Sequence, residues 1–240
     1  AFAVAGVAAG AGVVATAFVP KPALAADDVT FDEECDVLVV GSGYAGLAAA
    51  YEAAKAGAQV RVIDKRAFMG GNSYVADGQI AVVGSDAQKA AGIEDSVDIF
   101  VSDMLTAGLN LNYKDKCVLI GEKSNETFQW TIDEIGVEWA QDEKTGQAQL
   151  IAQGGHSVMR CIPPKVNKGS GIIDPLSEKL SDMGIEIETD TMLTNLVKDA
   201  DGRVMGAEIS LDVTDDDTTT ASAVKLVKVN KGVVMATGGY

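Results

Sequence analysis

The sequence contains one histidine and three cysteines in 240 residues. Cys35, Cys117 and Cys161 are far apart, and neither a C-x-x-C pair nor a histidine stands at metal-ligand spacing. No zinc site, iron–sulfur cluster or c-type haem attachment is therefore predicted. The acidic run at 215–217 lacks the glycine and distal glutamate of a calcium loop, so we predict no metal. We expect buried free thiols, although an exported protein could pair two of them.

Basic residues are scarce as well. Lys and Arg number 19 against 35 Asp and Glu, and the formal net charge is −16. Such a charge repels nucleic acid phosphates and anionic lipid headgroups, so we exclude both as primary partners. Hydrophobic residues make up 47% of the chain, which is enough for the core of a globular domain.

Residues 1–26 are rich in alanine and glycine and carry one charge, at Lys21. Because leucine and isoleucine are nearly absent, we predict an export signal rather than a membrane span, with cleavage before Asp27. An initiator methionine and a basic start are missing, so the signal is expected to be incomplete. We expect export to the cell-envelope side of a bacterium, by a twin-arginine route as a further hypothesis, and no membrane contact after cleavage.

Three glycines, Gly41, Gly43 and Gly46, stand in G-x-G-x-x-G spacing between an apolar run and a helical pattern. Gly41 permits a tight turn, Gly43 lets the backbone approach a diphosphate, and Gly46 lets the helix pack closely on the strand. Asp64 ends the next apolar run, where a carboxylate can accept hydrogen bonds from both ribose hydroxyls and repels a 2′-phosphate. The pattern predicts a site for FAD or NAD rather than NADP.

The remaining pattern predicts an α/β fold. Strands are expected at 35–40 and 59–64 around a helix at 44–56, followed by helices at 93–108, 113–136 and 172–183, the last with Pro175 in its first turn. After residue 184 the period changes to extended segments, joined by a turn at 201–202 and a polar hairpin tip at 212–223. The continuous apolar run at 232–239 is typical of a parallel strand. We predict a Rossmann-like domain with a parallel sheet and an antiparallel β-meander.

Five motifs occur in order: the glycine turn, GGNS at 70–73, the segment 91–108, GGHSVMR at 154–160 and ATGG at 236–239. With them, residues 36–240 resemble the FAD-binding domain of the fumarate reductase and succinate dehydrogenase flavoprotein family, especially its soluble flavocytochrome c branch. The resemblance implies an FAD-binding domain at 27–240 that is truncated before the capping domain. The proton-donating arginine of the family would lie in that missing part, so the fragment alone is expected to be inactive.

The resemblance also implies the cofactor residues. Membrane-bound members attach FAD through a histidine at the position of Asn72, so the FAD is expected to be non-covalent here. The expected contacts are Gly41, Ser42, Gly43, Ala45, Gly46, Asp64, Lys65, Gly71, Asn72, Ser73, Ala76, Gly78, Val197, Ala236, Thr237 and Gly238.

The implied function is reduction of the C=C bond of an unsaturated organic acid or related enoate by hydride transfer from flavin N5. An external donor, such as a haem protein or a quinol-linked protein, would supply the electrons. A dehydrogenase of a ketosteroid-like or other bulky substrate is the alternative, and a non-catalytic flavin-binding electron carrier is another. His156 and Arg160 are the substrate-site candidates, Arg160 because its planar fork of donors suits an anion.

Overall fold

A computed structural model describes residues 22–214 and 216–239. Most of the predicted export signal, Asp215 of the acidic run and Tyr240 lie outside these described residues. The strands are β1 (Leu24–Ala25), β2 (Glu33–Val40), β3 (Val60–Ile63), β4 (Ile80–Ala81), β5 (Cys161–Ile162), β6 (Ile187–Glu188), β7 (Met192–Lys198), β8 (Val204–Leu211) and β9 (Ala223–Met235). The helices are α1 (Tyr44–Lys55), α2 (Gly71–Val75), α3 (Asp86–Ala90), α4 (Val97–Ala107), α5 (Lys114–Trp130) and α6 (Ser170–Asp182).

A seven-stranded sheet in the order β1-β7-β8-β9-β2-β3-β6 organises the domain. Strands β9, β2, β3 and β6 are parallel, whereas β7, β8 and β9 form an antiparallel meander. The predicted combination of a parallel sheet and a meander is confirmed. Strands β4 and β5 form a separate antiparallel pair that the sequence pattern did not reveal.

Strand β9 belongs to both parts of the sheet. Its first half pairs with β8 from Ala223↔Leu211 to Lys228↔Gly206, and its second half pairs with β2 up to Met235↔Val40. Between these halves β9 has one residue more than β2, since the pairing passes from Cys35↔Val229 to Val37↔Gly232. Such a bulge increases the local twist. It follows Val227 and Lys228, which pair with β8 on one edge and with β2 on the other.

The predicted helices are present with shifted ends. Helix α4 starts only after Ser96, whose hydroxyl caps it by accepting from Ile99 N, and α5 continues as a π-helical turn over Thr131–Ile135. Helix α6 starts two residues earlier than expected, at Ser170. Pro175 therefore lies in its second turn, not its first, and cannot donate the backbone hydrogen bond expected at that position.

The last residues of the predicted export signal pack against the sheet. Leu24 pairs with Val197 in a parallel ladder, and the Asn195 side-chain amide donates to Pro22 O at 3.0 Å. Cleavage before Asp27 would remove strand β1, and the export signal stays a prediction.

One buried cluster lies between the sheet and helices α1, α5 and α6, and a second consists of residues of β2, β3, β8 and β9 alone. Cys35, Cys117 and Cys161 are buried and unpaired, and burial raises the pKa of the Cys35 thiol to about 11. In the described part of the chain, no helix has the length and apolar character needed to cross a bilayer.

Gly206 in β8 provides a test of this packing. A Cβ there would lie 2.4 Å from Cε1 of Phe31 and 2.5 Å from Val227 O. We expect Gly206→Ala to lower the free energy of unfolding by about 1–3 kcal/mol, because overpacking must be relieved by moving backbone. Gly232→Ala in β9, where a Cβ meets nothing within 4 Å, is the control. Equal denaturant midpoints for the two variants would contradict the packing described.

Candidate functional site

The turn between β2 and α1 requires glycine for steric reasons. Gly41 has a φ of +105°, and a Cβ there would lie 2.4 Å from Ala236 O. A Cβ at Gly46 would lie 1.8 Å from Gly41 O. The first turn of α1 therefore packs directly on the end of β2, as the spacing predicted.

The N-terminus of α1 is open at this turn. Gly43 is its N-cap and provides no side chain, and Ser73 Oγ accepts a hydrogen bond from Tyr44 N at 3.3 Å. The first backbone N–H groups of a helix have no intrahelical partner, and the helix dipole makes this end positive. Ala45 and Gly46 belong to this first turn, so the arrangement suits a diphosphate.

Ser42 connects two loops through its hydroxyl. The fully buried Ser42 Oγ donates to Asp64 Oδ2 at 2.5 Å and accepts from Gly70 N at 2.8 Å. Asp64 Oδ2 also accepts from Ser42 N at 2.8 Å, and its Oδ1 accepts from Arg66 N at 3.0 Å. Asp64 thus accepts hydrogen bonds from the glycine turn, a role not predicted from the sequence. Its Oδ1 can accept one more hydrogen bond.

The second loop follows Gly70 and packs on the start of α6. Asn72 and Ser73 lie in α2, which Gly71 begins with a φ of +48°. Ala76 O accepts from Gly169 N at 2.6 Å, and a Cβ at Gly78 would lie 2.7 Å from Lys168 O. Both glycine-containing loops are therefore held by close backbone contacts.

The ATGG segment closes the same corner. Ala236 N donates to Val40 O at 2.8 Å, and a Cβ at Gly41 would lie 3.3 Å from Thr237 N. Gly238 has a φ of +82° and open space around it. The structure thus brings together three predicted segments, at 41–46, 70–73 and 236–238.

Two predicted cofactor residues are less closely tied to this corner. Lys65 Nζ forms an ion pair with Asp216 Oδ2 at 2.9 Å, and Val197 is fully buried in β7 opposite Leu24. Their roles toward a cofactor stay predictions.

Tyr44 adds a polar atom that sequence reasoning missed. Its hydroxyl is buried and has no hydrogen-bond partner among the described residues. It lies beside the start of α6, since a Cβ at Gly169 would be 2.7 Å from it. A buried unpaired hydroxyl is rare in a folded protein, which is consistent with a ligand or water completing the site.

Arg160 is enclosed by carboxylates, not open to an anionic substrate as we expected from the sequence. Nε and Nη2 donate to the two oxygens of Asp95 at 2.9 Å each, and Nη1 donates to Asp103 Oδ2 at 2.6 Å. The side chains of Arg160 and Asp95 are fully buried, and that of Asp103 is 12% exposed. A buried guanidinium needs such partners, and a chain with a net charge of −16 has carboxylates in excess.

The electrostatics of this cluster favour the ionised pairs. Burial would raise the pKa of Asp95, but hydrogen bonds from Arg160 and Gln88 and the charge of Arg160 bring it below its ordinary value. Burial likewise opposes ionisation of Asp103, whose pKa is lowered by hydrogen bonds from Ser157 and Arg160. Both carboxylates are therefore negative at neutral pH.

His156, the other substrate-site candidate, lies against this cluster. Its Nδ1 is 2.8 Å from Arg160 Nη1, and its ring stacks on Phe100 of α4. Immediately before the GGH turn, Gln153 donates a hydrogen bond to the side chain of Gln79, the residue after Gly78. The GGH turn is thus tied to the loop expected to approach the flavin. Within the described residues, no three His, Cys, Asp or Glu side chains are placed to hold a metal ion.

Comparisons with known proteins agree with this geometry. The sequence model described as "FAD binding domain" matches residues 36–240. The acrylate reductase flavoprotein subunit of Shewanella woodyi is 35% identical over 238 residues, covering 96% of this chain and 45% of that protein.

Two solved structures have the same fold over most of this chain. The open conformation of a flavocytochrome c3 fumarate reductase is 33% identical with a TM-score of 0.74, over 87% of this chain and 34% of the other. A 3-ketosteroid-Δ4-(5α)-dehydrogenase from Rhodococcus jostii RHA1 in complex with 4-androstene-3,17-dione is 29% identical with a TM-score of 0.75, over 91% and 49%. The chain spans less than half the length of each of these three proteins.

Ser42→Ala tests the connection between the two loops. Loss of the hydroxyl leaves Gly70 N–H without its acceptor and Asp64 with one donor fewer, at a cost of about 1–3 kcal/mol. We expect FAD to bind about tenfold more weakly in a fluorescence titration of flavin-free protein. Ser222→Ala removes a hydroxyl that donates to Asp212 on an exposed hairpin and should leave the affinity unchanged. Equal affinities of both variants would show that the connection does not support the site.

Asp95→Asn tests the buried ion pairs. Removing one partner of a buried pair should lower the free energy of unfolding at pH 7 by about 3–5 kcal/mol. Because the pKa of Asp95 is depressed in the folded state, its stabilisation exists above the unfolded pKa and is lost as pH falls through the folded pKa. The difference from the wild type should therefore shrink below about pH 4. Asp98→Asn, at an exposed position in the first turn of α4, is the control and should lower the free energy of unfolding by at most about 1 kcal/mol. A pH-independent difference between Asp95→Asn and the wild type would contradict an ionised pair between Asp95 and Arg160.

Proposed function

Because the chain belongs to the family of FAD binding domains, we propose that it forms the cofactor site of an oxidoreductase that reduces the C=C bond of an unsaturated organic acid or related enoate. The observation that carries the proposal is the corner where the glycine turn, α2 and the ATGG segment meet at the open end of α1. A diphosphate fits there because a Cβ at Gly41 or Gly46 would strike backbone and one at Gly43 would lie 3.1 Å from Ser73 Oγ, so only glycine keeps this turn clear, while Gly71 has open space around it. The similarity to an acrylate reductase subunit and a fumarate reductase supports the enoate class.

The residues of the chain bind and orient the cofactor. FAD, when bound, supplies a hydride from N5 to an activated alkene carbon. The first-turn N–H groups of α1 other than that of Tyr44, which donates to Ser73, would hold the diphosphate. Ser42 keeps the two glycine loops in register, and Asp64 Oδ1 would accept from a ribose hydroxyl. The cofactor is held without a covalent bond, since Asn72 offers no nucleophile for attachment.

The electrons come from an external donor, a haem protein or a quinol-linked protein, in this proposal. The site lies on the exported side of the cell envelope, and transport of the folded protein by a twin-arginine route is consistent with the weakly apolar residues 1–26. An upstream coding sequence without an Arg-Arg pair would exclude that route.

A dehydrogenase of a bulky, ketosteroid-like substrate is the second candidate. It is favoured by the TM-score of 0.75 to the ketosteroid dehydrogenase. The two candidates differ in the direction of hydride transfer, so the redox state of the flavin distinguishes them.

We expect the purified full-length protein to be yellow and to release its flavin on acid precipitation. After anaerobic reduction, an unsaturated acid such as acrylate or fumarate should reoxidise the flavin, whereas saturated ketosteroids should not reduce the oxidised form. Reduction of the oxidised flavin by a steroid would favour the dehydrogenase. No reaction with either the unsaturated acids or the steroids would favour an electron carrier. A colourless protein that binds NAD would exclude all three.

A further inference from the structure

The contact between Arg160 and His156 determines which ring nitrogen carries the proton. A guanidinium has five N–H donors and no acceptor, and it is charged at every physiological pH. Arg160 Nη1 lies 2.8 Å from His156 Nδ1. Nδ1 must therefore accept this bond with its lone pair, which leaves the proton of the neutral ring on Nε2.

The surroundings keep both partners in place. Asp95 and Asp103 hold three N–H groups of Arg160, and Asp103 Oδ2 also accepts from Ser157 N at 2.9 Å and Ser157 Oγ at 3.0 Å. The imidazole stacks on Phe100 with a centroid distance of 6.3 Å and an interplanar angle of 25°. The ring is thus fixed on one side by Arg160 and on its face by an aromatic residue.

Protonation of Nδ1 would place two cations against each other. Burial lowers the pKa of His156, and the charge of Arg160 lowers it further. Asp103 and Asp95 act in the opposite direction, but burial and the charge of Arg160 outweigh them, so the pKa stays below its ordinary value. At neutral pH the ring is uncharged.

The remaining ring nitrogen is free to meet a ligand. No described residue accepts from Nε2, and the imidazole is only partly buried. The turn that carries it is joined by the Gln153–Gln79 bond to the loop after α2. Nε2–H is therefore a single donor on a turn that is hydrogen-bonded to the loop expected to approach the flavin.

We propose that Arg160 is a positioning residue that holds His156 as its Nε2–H tautomer, and that His156 donates a hydrogen bond to a carboxylate or carbonyl oxygen of the substrate without transferring a proton. The proposal rests on the enoate reductase function above. In this proposal Arg160 does not bind the anionic substrate itself. It orients His156, which donates a hydrogen bond to the substrate.

Nitrogen NMR of the histidine-labelled, FAD-loaded protein measures the tautomer directly. His156→Gln identifies the resonance by its loss, and we expect an unprotonated Nδ1 and a protonated Nε2 at about pH 7 and above. An imidazolium or an Nδ1–H pattern at pH 7 would overturn the proposed Nε2–H tautomer. Addition of acrylate should shift Nε2 and leave the Nδ1 pattern unchanged, and an unmoved Nε2 at saturating acrylate would overturn the contact with substrate.

Turnover separates a hydrogen-bond donor from an acid. His156→Gln keeps an N–H donor but cannot act as an acid, and His156→Phe keeps a ring against Phe100 but has no donor. We expect His156→Gln to stay within about threefold of the wild-type kcat/KM and His156→Phe to lose about tenfold, the size of one hydrogen bond. Equal losses in both variants, or a limb of the pH profile that vanishes in His156→Gln, would indicate proton transfer and overturn the proposal. A wild type that reduces no enoate refutes the function itself, while the ligand-free spectrum still decides the tautomer.

Discussion

The site depends on the contact between Gly46 and Gly41. A helix can start directly above the end of a strand only if nothing projects between them, and here even a methyl group would lie 1.8 Å from a carbonyl oxygen. This approach puts the open N-terminus of α1 at the carboxyl edge of the parallel strands. The ATGG segment then reaches the same edge because β9 is the parallel neighbour of β2. The candidate site thus combines this steric condition with the position of β9 beside β2.

Much of this arrangement could be predicted because it follows from local pattern. Glycine spacing, apolar runs and helix-ending glycines indicated β2, α1, β3 and the meander, and they indicated the α/β class. The ends of elements were less predictable: the start of α4 depends on the Ser96 cap, and that of α6 on the hydrogen bond from Gly169 to Ala76 in the loop after α2. Two-residue strands such as β1 and β4 exist only because a distant partner is present, so no local period reveals them.

The candidate site shows the same limit. The sequence placed Asp64 and Ser42 near one cofactor, but the hydrogen bond between them joins residues 22 positions apart and is visible only in three dimensions. Arg160 was misjudged because a fork of donors suits a substrate carboxylate and a protein carboxylate equally well. The acid excess of the chain was the available signal, since buried arginines in such a protein will find aspartates. Their positions, 65 and 57 residues before Arg160, have no periodic relation to it.

Strand β9 has a consequence for how this domain can change during evolution. It has 13 residues, which span about 40 Å when extended, with the polar hairpin at one end and the cofactor corner at the other. Because its second half is paired with β2, a residue inserted there would shift that register and displace the ATGG segment. Length variation is thereby confined to the hairpin at 212–222, which can lengthen or shorten without moving the flavin. The hairpin is therefore the natural place for a lineage to add a recognition element to an otherwise fixed redox domain.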